Sequence, residues 1–397
     1  MKGGSTTPVI FMLALAAFAS TTAFRICDPL LPVLAQEFGV RTAQASYAVT
    51  VFSVAYGVMQ FFYGPVGDRY GKFHTLACAT LGCAAGSLIV ASAPTFELLL
   101  VGRFLAGATA AGIVPLSMAW IGDHVPYEQR QATLARFLLG TITGMASGQV
   151  LGGGFADLIG WRWAFVALAC VYLGVGALLI SRRHLVTETL STASRGARFL
   201  SPLWQVLLVP WARVVLLTVF LEGALVFGAL AFVPAYLHEH LGLPVSWAGA
   251  IGGLFGLGAM GYALRANQLV RRLGERRLVF FGGCLLSLAC ATFWLAPTWG
   301  VAAAGSVVCG FGYYLLHAVL QTNATQMAPA MRGTAVALFA SCLFLGQSVG
   351  VAGAGLLADL AGLAAVFPVS MVLLPLLAAT FAWRLRFRRA AGYGAPD

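Results

Sequence analysis

Residues 64–72 read GPVGDRYGK, and this short segment separates two long apolar runs of the sequence. The runs cover approximately residues 44–66 and 73–93, and a helix needs about 20 apolar residues to cross a bilayer. The segment between them has glycines that permit a tight turn and charged side chains that stay outside the hydrocarbon. The pattern predicts two membrane-spanning helices joined by a short basic turn.

The composition extends this prediction to the whole chain. Of the 397 residues, 60% are hydrophobic and 9% are charged, whereas a soluble domain has about 25% charged residues. The mean hydropathy is +0.87. So few charges exclude a soluble enzyme, a disordered chain, a collagen and a small disulfide-rich secreted domain. Long continuous apolar runs, rather than alternating segments of about ten residues, favour membrane-spanning helices over a β-barrel.

Motifs for metal binding and nucleotide hydrolysis are absent from the sequence. All eight cysteines fall inside apolar runs, without a CxxC pair or a Cys/His cluster of zinc spacing. Neither a disulfide framework nor a metal site is therefore expected. The sequence also lacks G-x-x-x-x-G-K-[ST] and H-E-x-x-H. We expect no cofactor, no ATP coupling within this chain and no enzymatic activity.

Twelve apolar runs are long enough to be membrane spans. The first run is too long for the core of a signal peptide and is interpreted as a span that stays in the protein. The longest connection, 182–210, is expected to be a cytoplasmic loop between an N-terminal six-helix bundle, 1–181, and a C-terminal six-helix bundle with a short basic tail, 211–397. The predicted spans cover approximately residues 9–35, 44–66, 73–93, 96–121, 132–156, 163–181, 211–237, 245–269, 278–296, 299–324, 334–357 and 364–383.

The positions of the basic residues indicate how the chain is oriented. With the N-terminus in the cytoplasm, most of the 24 Lys and Arg residues fall in cytoplasmic segments, and the outer connections hold only Arg41 and Arg162. This positive-inside pattern predicts that both termini are cytoplasmic, in a bacterial inner membrane. The net charge of +11 then indicates contact with anionic lipid headgroups and requires no nucleic-acid partner.

The two halves of the sequence resemble each other at an offset of about 202 residues. The clearest match is Ala-Asp-Leu at 156–158 and again at 358–360, and Gly144 matches Gly346. Because each half has an even number of spans, both halves enter the membrane in the same orientation. The pattern predicts a parallel repeat of the kind found in secondary transporters.

Three sequence elements resemble motifs of the major facilitator superfamily. Residues 64–72 are similar to its loop signature G-x-x-x-D-R-x-G-[RK], and Arg103 and Gly107 match its R-x-x-x-G element. Residues 144–154 are similar to its antiporter signature G-x-x-x-G-P-x-x-G-G, with Gln149 in place of the proline. The resemblance covers nearly the whole chain and implies an all-α polytopic membrane protein, with 12 transmembrane helices in two six-helix pseudo-symmetric halves. It also implies a monomer similar to drug–proton antiporters and metabolite-efflux proteins.

The resemblance implies roles for two groups of residues. In the family, the loop after span two latches the cytoplasmic ends of helices when the transporter faces outward, and glycines of span five pack helices tightly. The alternative for the loop is a solvated segment that only sets the topology. The expected cytoplasmic-gate residues are Gly64, Asp68, Arg69, Gly71 and Lys72, and the expected helix-packing residues are Gly144, Gly148, Gly152 and Gly153.

Three charged residues of the first half are candidates for the substrate cavity, because a charge at membrane depth costs about 3 kcal/mol. Arg25 and Asp28 share a helix face, and Arg103 lies at nearly the same depth in span four. We expect a triad that faces water in the outward half, in which Asp28 and Arg103 contribute to proton coupling or a spare arginine holds an anionic substrate. The alternative is a static pair that fastens two helices. Pro29 predicts a break in the helix here.

The second half has one acid near the middle of a span, Glu222 in span seven. An acid without a cationic neighbour on its own helix can exchange a proton near neutral pH, so Glu222 is a candidate for both proton coupling and the cavity. His317 in span ten is placed to form a proton relay with it. The alternatives are a protonated Glu222 in a structural hydrogen bond and a His317 satisfied in the helix core. Arg265 is expected to extend to the lipid headgroups.

These observations predict a secondary active transporter that moves a small organic molecule by alternating access. The favoured mode is proton-coupled efflux, with the substrate, protons and membrane lipid as partners. A proton symporter or a facilitator for a small metabolite or organic anion is the alternative, favoured by Arg25 and Arg103. A membrane sensor or scaffold without transport activity is a further alternative of a different class.

Overall fold

The computed structural model describes residues 6–182 and 200–390, and the regular structure within these ranges is helical. The helices of the first half are α1 (Thr6–Arg25), α2 (Leu31–Phe38), α3 (Thr42–Ala45), α4 (Tyr47–Tyr70), α5 (Lys72–Ser92), α6 (Phe96–Ala110), α7 (Ile113–His124), α8 (Tyr127–Leu158) and α9 (Trp161–Ser181). The helices of the second half are α10 (Leu200–Leu208), α11 (Pro210–Glu222), α12 (Gly228–Leu230), α13 (Val233–Leu241), α14 (Val245–Gly253), α15 (Phe255–Trp294), α16 (Trp299–Gln326), α17 (Arg332–Ala361) and α18 (Val366–Ala390).

The helices account for the twelve predicted spans. Ten helical segments of the described ranges are long and apolar enough to cross a membrane. One of these segments, Val245–Trp294, contains two spans, because α15 is interrupted at Gly274, where φ is 69° and ψ is 164°. Helix α8, with 32 residues, provides the remaining span. The predicted all-α fold of a polytopic membrane protein is confirmed.

The signature segment 64–72 is more helical than the sequence predicts. Helix α4 continues through Pro65 to Tyr70, and α5 begins at Lys72, so the turn is confined to Gly71, with φ of 93°. A positive φ of this size favours glycine, and Gly274 in the second half also has a positive φ. A proline is tolerated inside a membrane helix because neighbouring groups satisfy the backbone that it frees.

The connection 182–210 contains a helix where the sequence predicts a loop. Helix α10 covers Leu200–Leu208 and packs against α11 and α17. Pro210 is the first residue of α11, a position that suits the fixed φ of proline. The basic residues expected in the earlier part of this connection, Arg183, Arg195 and Arg198, lie outside the described residues, as does the tail after residue 390.

Two spans are interrupted next to their acidic residues. Helix α1 ends at Arg25 and α2 begins at Leu31, so Pro29 lies in the predicted break beside Asp28. Helix α11 ends at Glu222 and continues into a π-helical turn at Gly223–Phe227. π-Helical turns within α-helices occur frequently at functional sites. Both acids therefore lie where the regular helix ends.

Glycines of span five bring α8 into backbone contact with its neighbours. A Cβ atom on Gly148 would lie 2.5 Å from the Thr22 carbonyl oxygen of α1. Gly144 and Gly152 are similarly crowded against α1, and Gly153 is crowded against the first turn of α14. Because small residues allow such close helix packing in a membrane, these positions have no room for a larger side chain.

The chain divides into two compact units, each with a short segment from the opposite half of the sequence. The first unit comprises Met1–Val40, Ala45–Ala197 and Pro244–Ala250. The second unit comprises Arg41–Gln44, Arg198–Leu243 and Ile251–Asp397. The candidate residues of the first half therefore belong to the first unit, and those of the second half belong to the second unit.

The two aspartates of the sequence repeat have equivalent roles within these units. In the first unit, Asp157 Oδ2 accepts a hydrogen bond from the backbone N–H of Ser246 in α14, at 2.7 Å. In the second unit, Asp359 accepts one from the backbone N–H of Ala43 in α3, at 3.3 Å, and pairs with Arg41 at 3.2 Å. A carboxylate at a helix start satisfies unpaired N–H groups and interacts favourably with the helix dipole. The repeated Ala-Asp-Leu sequence thus corresponds to a repeated helix cap.

Candidate functional site

An ion pair joins Arg25 and Asp28 at the break in span one. Arg25 Nη2 lies 2.7 Å from Asp28 Oδ2, and both side chains are fully buried. The helix end positions them, because Arg25 is the last residue of α1 and its carbonyl accepts the backbone N–H of Asp28 at 3.3 Å. Charge-assisted bonds of this length are strong where water is absent, and removing one partner of a buried pair leaves an uncompensated charge.

Gln149 of α8 is a third side chain at this site, and sequence reasoning treated it only as a departure from the signature proline. Gln149 is buried, and its Nε2 lies 3.4 Å from Asp28 Oδ2. Asp28 Oδ1 and Gln149 Oε1 have no hydrogen-bond partner among the described residues. The sequence indicated this role only through the substitution itself. The glutamine side chain has a hydrogen-bond donor and an acceptor, whereas the side chain of the signature proline has neither.

Arg103 differs from the expected triad, in which it faces water together with Asp28. Its Nε donates to the Ala48 carbonyl at 2.9 Å and its Nη1 donates to the Ala23 carbonyl at 3.0 Å. The guanidinium carbon lies 4.2 Å from the ring centroid of Phe52. The side chain is buried, so Arg103 fastens α6 to α1 and α4, while Arg25 alone forms the ion pair with Asp28. The physical reason is that a guanidinium has several N–H donors in a fixed fork and can bind two backbone carbonyls at once.

Replacing Arg103 with Lys is expected to lower the free energy of unfolding by about 2–3 kcal/mol. The ammonium keeps the charge, but it cannot reproduce the two directed carbonyl bonds together with the flat stacking on Phe52. The measurement is the thermal or denaturant unfolding midpoint of the purified protein. The control is Arg265→Lys, because Arg265 is exposed, and surface substitutions change stability by less than about 0.5 kcal/mol. Equal effects of the two substitutions would show that the contacts of Arg103 do not stabilise the fold.

In the second unit, Glu222 and His317 form a buried pair between α11 and α16. His317 Nδ1 lies 2.8 Å from Glu222 Oε2, and the Glu222 side chain has no exposed surface. Glu222 Oε1 has no hydrogen-bond partner in the described ranges. The structure therefore brings together the two residues that the sequence proposes as a relay. A carboxylate and an imidazole at this distance can share or exchange a proton.

Aromatic rings fix the orientation of His317. Its imidazole stacks on Tyr313, with ring centroids 4.8 Å apart and an interplanar angle of 16°. Phe339 of α17 lies on another side, with a centroid separation of 5.4 Å, and Phe227 of the π-helical turn packs on Tyr313. These rings pack around the imidazole and restrict its rotation. The pair thus lies in a fixed orientation in an apolar environment.

Two of the expected gate residues, Asp68 and Lys72, form a small charge cluster with Asp123 where α4, α5 and α7 meet. Lys72 Nζ lies 2.5 Å from Asp123 Oδ2 and 3.8 Å from Asp68 Oδ1. Asp68 is about half exposed, and the Arg69 guanidinium lies 5.2 Å from the ring centroid of Tyr70. Asp123, which the sequence reasoning missed, is thus the nearer partner of Lys72. The sequence signal for Asp123 was an acid just after span four, on the side that the basic residues predict to be cytoplasmic.

Two further kinds of chemical site, a metal cluster and a serine nucleophile motif, were compared with the described residues. No group of three His, Cys, Asp or Glu residues within 6–182 and 200–390 is arranged to hold a metal ion. The expectation of no enzymatic activity also assumes that the nucleophile pattern G-x-S-x-G is absent, and this assumption is wrong, because residues 346–350, GQSVG, match the pattern. They lie inside the continuous helix α17, where Ser348 Oγ donates to the Leu345 carbonyl at 2.7 Å. A nucleophile of this kind instead requires a sharp turn between a strand and a helix.

A helical bundle of twelve spans, with buried charged pairs at breaks in the helices, has the architecture of secondary transporters. The comparison with known families agrees. The chain belongs to the Major Facilitator Superfamily, because the profile of that family matches residues 13–351 and 268–396. It is therefore a multi-pass membrane protein of a transporter family.

Individual relatives are distant. The chain is 25% identical over 335 residues to the uncharacterized MFS-type transporter YceJ of Bacillus subtilis, with 84% of each protein covered. It is 27% identical over 181 residues to the multidrug export protein EmrB of Haemophilus influenzae, covering 46% of this chain and 35% of EmrB. A solved bacterial homologue of the human lysosomal transporter Spinster, inward-facing and unoccupied, matches with a TM-score of 0.79 and 15% identity over 100% of both chains. The last similarity concerns the fold alone.

Proposed function

We propose that this chain is a proton-coupled secondary transporter that exports a small organic molecule in exchange for protons. The observation that carries the proposal is the buried pair of Glu222 and His317, 2.8 Å apart in an apolar environment. Two titratable groups at membrane depth are costly to retain and mark proton pathways in transporters. The multidrug export protein EmrB among the relatives supports the export direction.

The first unit provides a second protonation site in this proposal. Asp28 is paired with Arg25 at the break of span one, and this carboxylate binds a proton or a cationic substrate when the break becomes accessible. Alternating access then exposes the acids to one side of the membrane at a time. We further propose a monomer in a bacterial inner membrane, with both termini in the cytoplasm.

The proposed function is tested in liposomes that contain the purified protein and a trapped pH indicator. An inward proton gradient is imposed, and lipophilic cations, sugars and organic acids are added one class at a time. Antiport predicts proton movement that depends on the substrate and stops when a protonophore collapses the gradient. Substrate transport at the same rate with and without the gradient would exclude proton coupling. The absence of transport for every class would favour a sensor or scaffold.

One observation favours the alternative of a symporter or facilitator for an organic anion. Arg103 Nη2 is buried and has no hydrogen-bond partner among the described residues, so one guanidinium N–H group remains available to a carboxylate or phosphate. The same liposomes distinguish the two functions. Symport predicts that an organic acid and protons move in the same direction, whereas antiport predicts opposite directions.

Replacing Asp68 with Asn is expected to slow transport about tenfold and to leave substrate binding unchanged. The reason is that Asp68 is about half exposed and pairs with Lys72 at the turn between α4 and α5, so in this proposal it acts on conformational exchange rather than on substrate binding. The measurements are initial transport rates and equilibrium binding of the transported compound. Asp123→Asn is the matched comparison, because Asp123 and Asp68 both form an ion pair with Lys72. Lost binding in a normally folded Asp68→Asn protein would contradict the gate role.

A further inference from the structure

Two unsatisfied acceptors belong to the same pair of side chains in the first unit. Asp28 Oδ1 and Gln149 Oε1 are buried and have no hydrogen-bond partner among the described residues, although Gln149 Nε2 lies 3.4 Å from Asp28 Oδ2. A buried acceptor without a donor costs about 1–3 kcal/mol. The two unsatisfied oxygens belong to side chains that already approach each other. A proton on one of these oxygens would donate to the other and satisfy both.

We propose that Gln149 is a positioning residue that holds a proton on Asp28 through a two-point pairing of acid and amide. In this pairing, the Gln149 Nε2–H group donates to Asp28 Oδ2, and a proton on Asp28 Oδ1 donates to Gln149 Oε1. Protonation adds one O–H bond on Asp28, and deprotonation returns that proton to water on the accessible side. After deprotonation, the two oxygens Oδ1 and Oε1 are both acceptors and the second hydrogen bond is lost.

The charged neighbours of Asp28 favour its deprotonated form, whereas the proposed pairing with Gln149 favours its protonated form. Arg25 on the same span lies 2.7 Å from Oδ2 and stabilises the carboxylate, and Arg103 from α6 adds a further positive charge. Cys27 is the adjacent titratable group and is buried. The nearby segment of α14, which reads VSWAGAIGG, has no titratable residue. Asp28 is therefore balanced between arginines that favour its anion and an amide that favours its acid.

The close packing of α8 on span one makes this pairing geometrically specific. A Cβ on Gly148 would lie 2.5 Å from the Thr22 carbonyl oxygen, and the equivalent atom on Gly152 would overlap the Ile26 carbonyl. The backbone on both sides of Gln149 thus contacts span one close to Asp28. Proline at position 149 would provide neither the donor nor the acceptor, so the departure from the antiporter signature lies where the amide has a function.

The inference deepens the proposed function, and its consequence for transport rests on that function, but the pairing itself is tested without any substrate. Purified protein in lipid is titrated while the carbonyl-stretch infrared band of protonated carboxylic acids is recorded. The component that disappears in Asp28→Asn is assigned to Asp28. In Gln149→Leu, we expect the midpoint of this component to move to lower pH by about one unit, a tenfold loss of proton affinity.

The controls separate the hydrogen-bonding role from packing. Gln347→Leu makes the same chemical change at a buried glutamine of α17 and should leave the midpoint of the Asp28 component unchanged. Gln149→Met keeps the length of the side chain and replaces Gln149→Leu if the latter does not fold. An unchanged or higher midpoint in the folded Gln149 variant overturns the proposal.

The outcome for transport is read separately. If the midpoint shifts but transport ignores the proton gradient, proton coupling is wrong and the acid–amide pairing stands. If transport is proton-coupled and the midpoint does not shift, the pairing is wrong and the proposed function stands. If both hold, the pH at which transport is half-maximal should move in Gln149→Leu in the same direction as the infrared midpoint.

Discussion

Replacing Glu222 with Gln is expected to lower proton-driven transport by about 100-fold, because a positioned proton-transfer group contributes about 10²–10⁴ to a rate. The amide has nearly the same volume and still reaches His317, so the bundle should fold and bind its substrate. It cannot take up or release a proton. The measurement compares gradient-driven transport with substrate exchange at equal pH on both sides of the membrane. Glu222→Gln should lose gradient-driven transport and keep substrate exchange.

The matched control for this prediction is Glu239→Gln. Glu239 lies later in the same span, at the end of α13, where it is exposed. The identical chemical change at Glu239 should leave both transport modes within about twofold of the original protein, because the group is already solvated. If Glu222→Gln retains full gradient-driven transport, Glu222 is a structural acid and the coupling proton must bind elsewhere.

Replacing Gly144 with Val is expected to destabilise the folded protein by about 2–3 kcal/mol or more, because added atoms in a closely packed core force the backbone to move. A Cβ on Gly144 would overlap Thr21 Oγ1 and the Phe18 carbonyl oxygen of α1. The contact between α8 and α1 supports the site above it, so transport should fall together with stability. The measurements are the unfolding midpoint and the yield of monodisperse protein.

Gly154→Val provides a control on the same helix. A Cβ on Gly154 would meet no atom within 4 Å, while the change in helix propensity from glycine to valine is the same at both positions and slightly favourable. The two variants should therefore differ only in the free energy that is lost through steric overlap with α1. Equal destabilisation of the two variants would show that close contact with α1 does not determine the effect of the substitution at position 144.

Much of the fold could be predicted from the sequence because the relevant signals are local. Each apolar run has the length of the bilayer, and basic connections indicate which side they occupy. The helix α10 was not predicted, because a helix of nine residues in a basic connection lacks the length signal on which the other spans depend. The turn at Gly71 was placed in the correct segment, but Pro65 made the preceding helix look shorter than it is.

The site was most predictable where neighbouring residues form it. Arg25 and Asp28 are three positions apart on one span, so their pairing follows from helix geometry. The partners of Arg103 are carbonyl groups of Ala23 and Ala48, and a backbone carbonyl leaves no residue type in the sequence. These carbonyl contacts therefore could not be predicted from residue types, and the expected role of Arg103 beside Asp28 stays a prediction.

Pairings between distant spans had weaker signals. Glu222 and His317 are 95 positions apart, and only the assumption that a buried acid needs a titratable neighbour connects them. Gln149 was noticed because it departs from a signature, but its proximity to Asp28 depends on the rotation of α8 about its axis. The contacts of Gly148 and Gly152 with span one fix that rotation, and the sequence of α8 alone does not indicate it.

The caps at Asp157 and Asp359 link the two halves of the sequence. Asp157 of the first half binds the start of α14 in the second half, and Asp359 of the second half binds the start of α3 in the first. Each compact unit therefore contains one helix start that the opposite half of the sequence contributes. Neither half of the sequence alone contains both the carboxylate and the N–H group of the cap in its own unit.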